Sequence, residues 1–213
     1  MSSESATFHC WYCANMTEAL EKGRYLLEKF ETYFRGPIVD LGCGEGAMLL
    51  ALKEKGRTDL LGIESNPELA GLAESWGVPV VRTDLGEFIR GELGRATYTY
   101  IDVIEHLPFE LNVDVLKSIP AGSRLILQTP YTDSLLGHQS YMNVPSHVAP
   151  YSPMVVRQML AKLRYEIVAE GSVDGRHPDG WKKKLRGIFV KRVLGLPVEL
   201  ITGGANYFVV ADR

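Results

Sequence analysis

Short apolar runs alternate along this chain with longer stretches in which apolar residues recur at helical spacing. The runs are IVDLG, LLGIES, VPVVRTD, TYTYID and SRLILQTP. Their lengths, and the lack of a polar alternate position in most of them, predict strands buried on both faces of a parallel sheet. Residues 15–34 form an amphipathic pattern, with Leu20, Tyr25, Leu27 and Phe30 at its apolar positions and Gly36-Pro37 as its stop. Residues 151–171 read as a helix followed by a strand, Ser152 being the cap and Pro153 the first helical turn. NYFVVADR, 206–213, reads as the last strand. Residues 131–150 are rich in Gly, Ser, His and Pro and read as a long loop.

The first strand runs into glycine at every second position: Gly42, Gly44 and Gly46 follow Asp40 in IVDLGCGEG. Helix formers come next. Strand, glycine turn and helix make a nucleotide-type binding corner, where a side chain would hold a ligand off the backbone. The carboxylate narrows the ligand. Asp40, two residues before Gly42, would repel a pyrophosphate seated on the turn, and would attract a ligand bearing an ammonium and a sulfonium. S-adenosylmethionine is such a ligand. Gly42, Gly44 and Ala47 also satisfy the looser dinucleotide pattern, so the glycines alone leave NAD open.

The order of motifs goes further. Carboxylates stand at the ends of four successive strands: Asp40, Glu64, Asp84 and Asp102, separated by 24, 20 and 18 residues (64 − 40, 84 − 64, 102 − 84). Each interval is about one strand–helix unit of a parallel sheet. With DVIEHLP after the fourth strand, the stretch from 37 to 168 resembles the class I S-adenosylmethionine-dependent methyltransferases. The resemblance implies an α/β, Rossmann-like doubly wound sheet of seven strands, mostly parallel, with an antiparallel last strand inserted beside the fifth. It implies one methyltransferase domain over 1–213, with 1–36 as a lid segment and 131–150 and 172–205 as substrate-side insertions. Cofactor contacts would come from Asp40, Gly42, Gly44, Glu64, Asp84, Leu85 and Asp102. Glu64 would face the ribose hydroxyls, a contact shared with NAD sites, and Asp84 and Leu85 the adenine. The plainer alternatives are a helix-terminal carboxylate for Glu64 and a helix cap for Asp84.

Chemistry is expected at the exit of the fourth strand. Glu105 and His106 stand there, and His147 follows in SHVAPYS. This pattern resembles the ubiquinone-biosynthesis O-methyltransferases and the small-RNA 3′-end 2′-O-methyltransferases. That resemblance implies a divalent site, Mg²⁺ or Mn²⁺, at Glu105, His106 and His147. Asp102 departs from the glutamate usual in those families. The competing reading makes His106 or His147 a general base with no metal. KFETYFRG before the first strand, with the histidine loop, also resembles methyltransferases of bacterial surface-polysaccharide biosynthesis.

Composition adds limits. The 213 residues suffice for one large α/β core, and 46% hydrophobic with 23% charged residues is ordinary for a globular protein. A net charge of −3 argues against nucleic acid as partner, and no apolar run reaches the about 20 residues of a membrane span. Three cysteines make no disulfide framework, and the start MSSESATFHC lacks a signal-peptide pattern, so the cytoplasm is expected. FHCWYC, 8–13, reads as an aromatic lid segment rather than half a zinc site. WKKKLRGIFVKRVLGLP, 181–197, carries six basic residues with apolar ones at helical spacing: a surface helix, a membrane-surface contact through 181–196, or a phosphate patch. The expectation is O-methylation of a small molecule, a saccharide or a lipid-linked precursor. Its rivals are an RNA 2′-O-methyltransferase, an NAD-dependent oxidoreductase and a silent binding module. Oligomeric state has no signature in the sequence.

Overall fold

The computed structural model describes residues 15–173 and 204–213. The expectations for 8–13 and 181–197 therefore lie outside the described residues. Seven strands form one sheet in the order β3-β2-β1-β4-β5-β7-β6. They are β1 (Ile38–Leu41), β2 (Leu60–Glu64), β3 (Val80–Arg82), β4 (Thr97–Ile101), β5 (Arg124–Pro130), β6 (Glu166–Val173) and β7 (Asn206–Asp212). The pairs from β3 to β5 are parallel; β7 runs antiparallel between β5 and β6. This is the doubly wound sheet expected from the motif order, with the last strand inserted beside the fifth.

Every residue of β1 and β5 is buried. Alternate side chains of β5 feed two separate cores: Leu125 and Leu127 face one, Ile126 the other. The first core is closed by α5 (Phe109–Ser118) and α7 (Pro153–Lys162); the second by α1 (Met16–Phe30), α2 (Ala47–Glu54) and α3 (Pro67–Ser75). Burial on both faces explains why these strands carry unbroken apolar runs. At about 25 cal/mol per Å², each fully buried Leu or Ile contributes roughly 1.5–3 kcal/mol.

α1 ends at Phe30, short of the residue-34 boundary read from the sequence, and a 3₁₀ turn covers Glu31–Tyr33. The larger departure is at 131–150. This stretch is not all loop: α6 (Leu135–Met142) lies inside it, started by the Ser134 hydroxyl, which accepts from the Gly137 N–H at 3.0 Å. Its apolar and polar residues have no helical period. Gly137 breaks the pattern but is needed, because a Cβ there would lie 2.1 Å from the Tyr131 carbonyl oxygen. No helix among the described residues is long and apolar enough to cross a membrane.

Candidate active site

The glycine corner leaves β1 with all three glycines left-handed, at φ +76°, +57° and +74° for Gly42, Gly44 and Gly46. A Cβ on Gly42 would lie 2.7 Å from a Val103 methyl, whereas one on Gly44 would meet no protein atom within 4 Å. Gly42 is thus required for packing as well as conformation; Gly44 leaves bare backbone facing outward. The Gly44 N–H donates to Glu64 Oε2 at 2.8 Å, and the Asn66 N–H donates to Glu64 Oε1 at 2.7 Å. Glu64 therefore ties the turn to the start of α3. Each oxygen keeps a second lone pair for a hydroxyl donor.

Asp40 is fixed by strand register. It pairs with Thr99 across β1 and β4, and the Thr99 hydroxyl donates to its Oδ1 at 2.6 Å. Burial pushes its carboxyl up to about 6, the Thr99 hydrogen bond and the Lys22 ammonium pulling back down, while Glu64 and Glu45 push it further up. Asp84 caps α4 (Leu85–Phe88), accepting from the Glu87 N–H at 2.9 Å, and Leu85 is buried behind it. The helix-cap alternative for Asp84 is what its hydrogen bond displays.

Asp102 follows β4 in the left-handed region, φ +54°. A non-glycine residue there costs on the order of 1–3 kcal/mol and persists only when its surroundings hold it. Gln128 is the holder: its carbonyl accepts from the Asp102 N–H at 2.9 Å, and its Nε2 donates to both carboxylate oxygens, at 3.2 and 3.0 Å. Burial raises the Asp102 carboxyl, against lowering contributions from Gln128, Lys22, His147 and Lys29. Asp102 is absent from the cluster that Glu105 forms with the histidines.

Glu105 sits in a 3₁₀ turn, Ile104–His106, only 1% exposed. The Thr129 hydroxyl donates to its Oε2 at 3.0 Å, while Oε1 is buried with no hydrogen-bond partner among the described residues. Burial and then the nearby Asp102 carboxylate hold its carboxyl well above the ordinary range. His147 Nε2 lies 3.9 Å from that oxygen, and the His106 and His147 rings meet edge to face at 4.5 Å. One potential ligand atom from each of Glu105, His106 and His147 falls within 4.8 Å of the others.

The surroundings fix the tautomers. His147 Nδ1 lies 2.7 Å from the Tyr141 carbonyl and His106 Nδ1 lies 3.2 Å from that of Ser146. A carbonyl only accepts, so each Nδ1 carries the hydrogen, and a neutral ring then presents its Nε2 lone pair. Tyr141, at the end of α6, also stacks on His147 at 4.9 Å and 24°. Burial lowers the His147 pKa, outweighing the Tyr141 carbonyl and Asp102, so the ring is neutral near pH 7.

The turn bearing Glu105 is pinned by Asn112, buried within α5. Its Nδ2 donates to the Ile104 and Leu107 carbonyls at 2.9 and 3.2 Å and lies 2.8 Å from the Tyr151 hydroxyl; its Oδ1 accepts from Tyr100 at 2.5 Å. Asn112, Gln128, Thr129 and Tyr141 went unnoticed in the sequence. Asn112 alone left a signal, as a polar residue on the apolar side of a helical pattern.

No family model and no curated protein matches this sequence. Solved structures do match. A SAM-dependent methyltransferase of Archaeoglobus fulgidus is similar at 20% identity and a TM-score of 0.70, covering 91% of this chain and 94% of its own. A SAM-dependent methyltransferase of Thermotoga maritima, described as a possible histamine N-methyltransferase, is similar at 16% identity and 0.61, over 93% and 99%. The small RNA methyltransferase HEN1 is similar at 18% and 0.62, over 91% of this chain and 26% of its own. Strand order, glycine corner and these likenesses together give the chain the fold of the class I S-adenosylmethionine-dependent methyltransferases.

Proposed function

We propose that the protein is an S-adenosylmethionine-dependent O-methyltransferase acting on a small-molecule, saccharide or lipid-linked acceptor. One observation carries the choice of oxygen: Glu105 Oε1, with no partner among the described residues, buried beside the His106 and His147 rings at the exit of β4. That is a place for a hydroxyl and its proton. Asp40, Gly42, Gly44, Glu64, Asp84, Leu85 and Asp102 are read as the cofactor side, with residues 15–36 packed over it. The acceptor oxygen attacks the methyl carbon in line, the carbon–sulfur bond breaks, and its electron pair returns to sulfur, leaving a neutral thioether. The hydroxyl proton goes to Nε2 of neutral His147, whose Nδ1–H is held by the Tyr141 carbonyl.

The same three residues suit a divalent cation. Glu105, His106 and His147 would hold it, and it would supply Lewis-acid polarisation of the acceptor hydroxyl. Two nitrogens and one carboxylate favour Mn²⁺ over the oxygen-preferring Mg²⁺. The buried Glu105 oxygen supports this reading, since a carboxylate so placed gains from a cation. The test is formation of S-adenosylhomocysteine from S-adenosylmethionine over a panel of hydroxyl acceptors, with Mn²⁺ and with chelator. A protein that binds the donor but methylates only amine or carbon acceptors would refute the assignment.

A second reading, RNA 2′-O-methylation, draws on the likeness to HEN1. The chain's net charge of −3 weighs against it. Transfer of labelled methyl to short RNA 3′ ends, steeply dependent on salt, would favour it over the first.

A further inference from the structure

Lys22 projects from α1 to Glu45, the residue between the second and third glycines, with Nζ 2.7 Å from Oε1; Glu45 is 5% exposed. The backbone beside Lys22 is locked. Gly23 packs so closely on the start of α2 that a Cβ would lie 2.0 Å from the Ala47 carbonyl oxygen. Lys22 is therefore delivered to the glycine turn in fixed register. Its charge is felt beyond Glu45, lowering the carboxyls of both Asp40 and Asp102 against the burial that raises them. The corner thus collects carboxylates from four places, Asp40, Glu45, Glu64 and Asp102, with Lys22 as the basic side chain that reaches several of them.

The methyl donor's amino-acid tail is a zwitterion. Its ammonium and sulfonium have carboxylates waiting; its own carboxylate needs a donor in a corner otherwise anionic. We propose that Lys22 recognises the carboxylate of the donor's amino-acid tail, exchanging its present partner Glu45 for it. This rests on the methyltransferase reading above. Lysine suits the exchange, since its ammonium is a compact charge on a flexible stem with three donors and can turn between two acceptors.

Two ligands separate this from a purely structural staple. S-adenosylhomocysteine has the carboxylate; its decarboxylated analogue, S-adenosyl-3-thiopropylamine, keeps everything else. Calorimetry on the wild type should show the first binding about tenfold more tightly, the scale of one charge-assisted contact. Lys22→Met should weaken S-adenosylhomocysteine by about the same factor and leave the analogue unchanged or tighter, because a like charge has gone. Glu45→Gln, which breaks the ion pair but keeps the lysine, should not weaken S-adenosylhomocysteine. If Lys22→Met weakens both ligands alike, or neither, or if Glu45→Gln loses S-adenosylhomocysteine as Lys22→Met does, Lys22 only fastens α1 and the proposal is wrong. Wild-type protein that binds neither ligand overturns the donor reading and the lysine's role with it.

Discussion

At the β1–β3 end of the sheet, each carboxylate has partners before any ligand arrives. Asp40 takes the Thr99 hydroxyl, Glu64 takes two backbone N–H groups, and Asp84 takes that of Glu87. At the β4–β5 end, Glu105, Gln128 and Ser146 each bury a polar atom that has no partner among the described residues. Such an atom costs about 1–3 kcal/mol. One end is a preformed cradle that completes itself; the other holds its groups in place yet incomplete. On the proposed reading, the difference separates a cofactor cradle that is set before its ligand arrives from an acceptor end whose buried groups still lack partners among the described residues.

If the division is right, damage should segregate. Glu105→Ala should lower turnover by about 10²–10⁴-fold while leaving the dissociation constant of S-adenosylhomocysteine within about twofold. Equal loss of both would erase the boundary. Gly42→Ala should do the reverse. Its Cβ would strike Val103 at a left-handed φ, costing about 1–3 kcal/mol of stability and most of the cofactor affinity, as melting and calorimetry would show.

Asp40→Asn sharpens the contrast through pH. Because the folded carboxyl is raised from 3.8 to about 6, the native state binds the extra proton between those values. Stability therefore falls as pH rises through that window, and the cost is fully present above pH 6. The asparagine variant should be more stable than wild type by roughly 1–3 kcal/mol at pH 8, with a smaller gain at pH 5, and should bind the donor more weakly. A gain independent of pH would mean that Asp40 is not strained. The smallest effect is expected at Thr129→Val, which removes the hydroxyl that donates to the Glu105 carboxylate; about 1–2 kcal/mol should be lost, and Thr129→Ser should restore it.

What the sequence revealed follows the same division. The glycine corner is legible because most of its determinants are contiguous: three left-handed positions favour glycine, and Asp40 near the end of β1 and Glu64 at the end of β2 close short apolar runs. The β4–β5 end is assembled from afar. Glu105 and His147 are visible as residue types, but the Thr129 hydroxyl that orients the one and the Tyr141 carbonyl that orients the other are contacts between elements. Thr129 looks like any strand threonine. Tyr141 lies in a helix whose short, aperiodic sequence carries no amphipathic signal, and the contact that sets the His147 tautomer is its backbone oxygen. Gln128 holds a strained Asp102 that nothing in the local residues marks as strained.

The insertion of β7 has a consequence for how the molecule is made. Gln128 and Thr129 lie opposite Phe208 and Tyr207, whereas β1 and β2 pair with strands made before β5. During synthesis the glycine corner can assemble from strands made before β7, while β5 gains its second neighbour only when the final strand emerges. The residues that orient Asp102 and Glu105 are thus flanked on both sides only once the final strand is in place, and a chain cut short before 206 would keep its corner and leave Gln128 and Thr129 on an open edge.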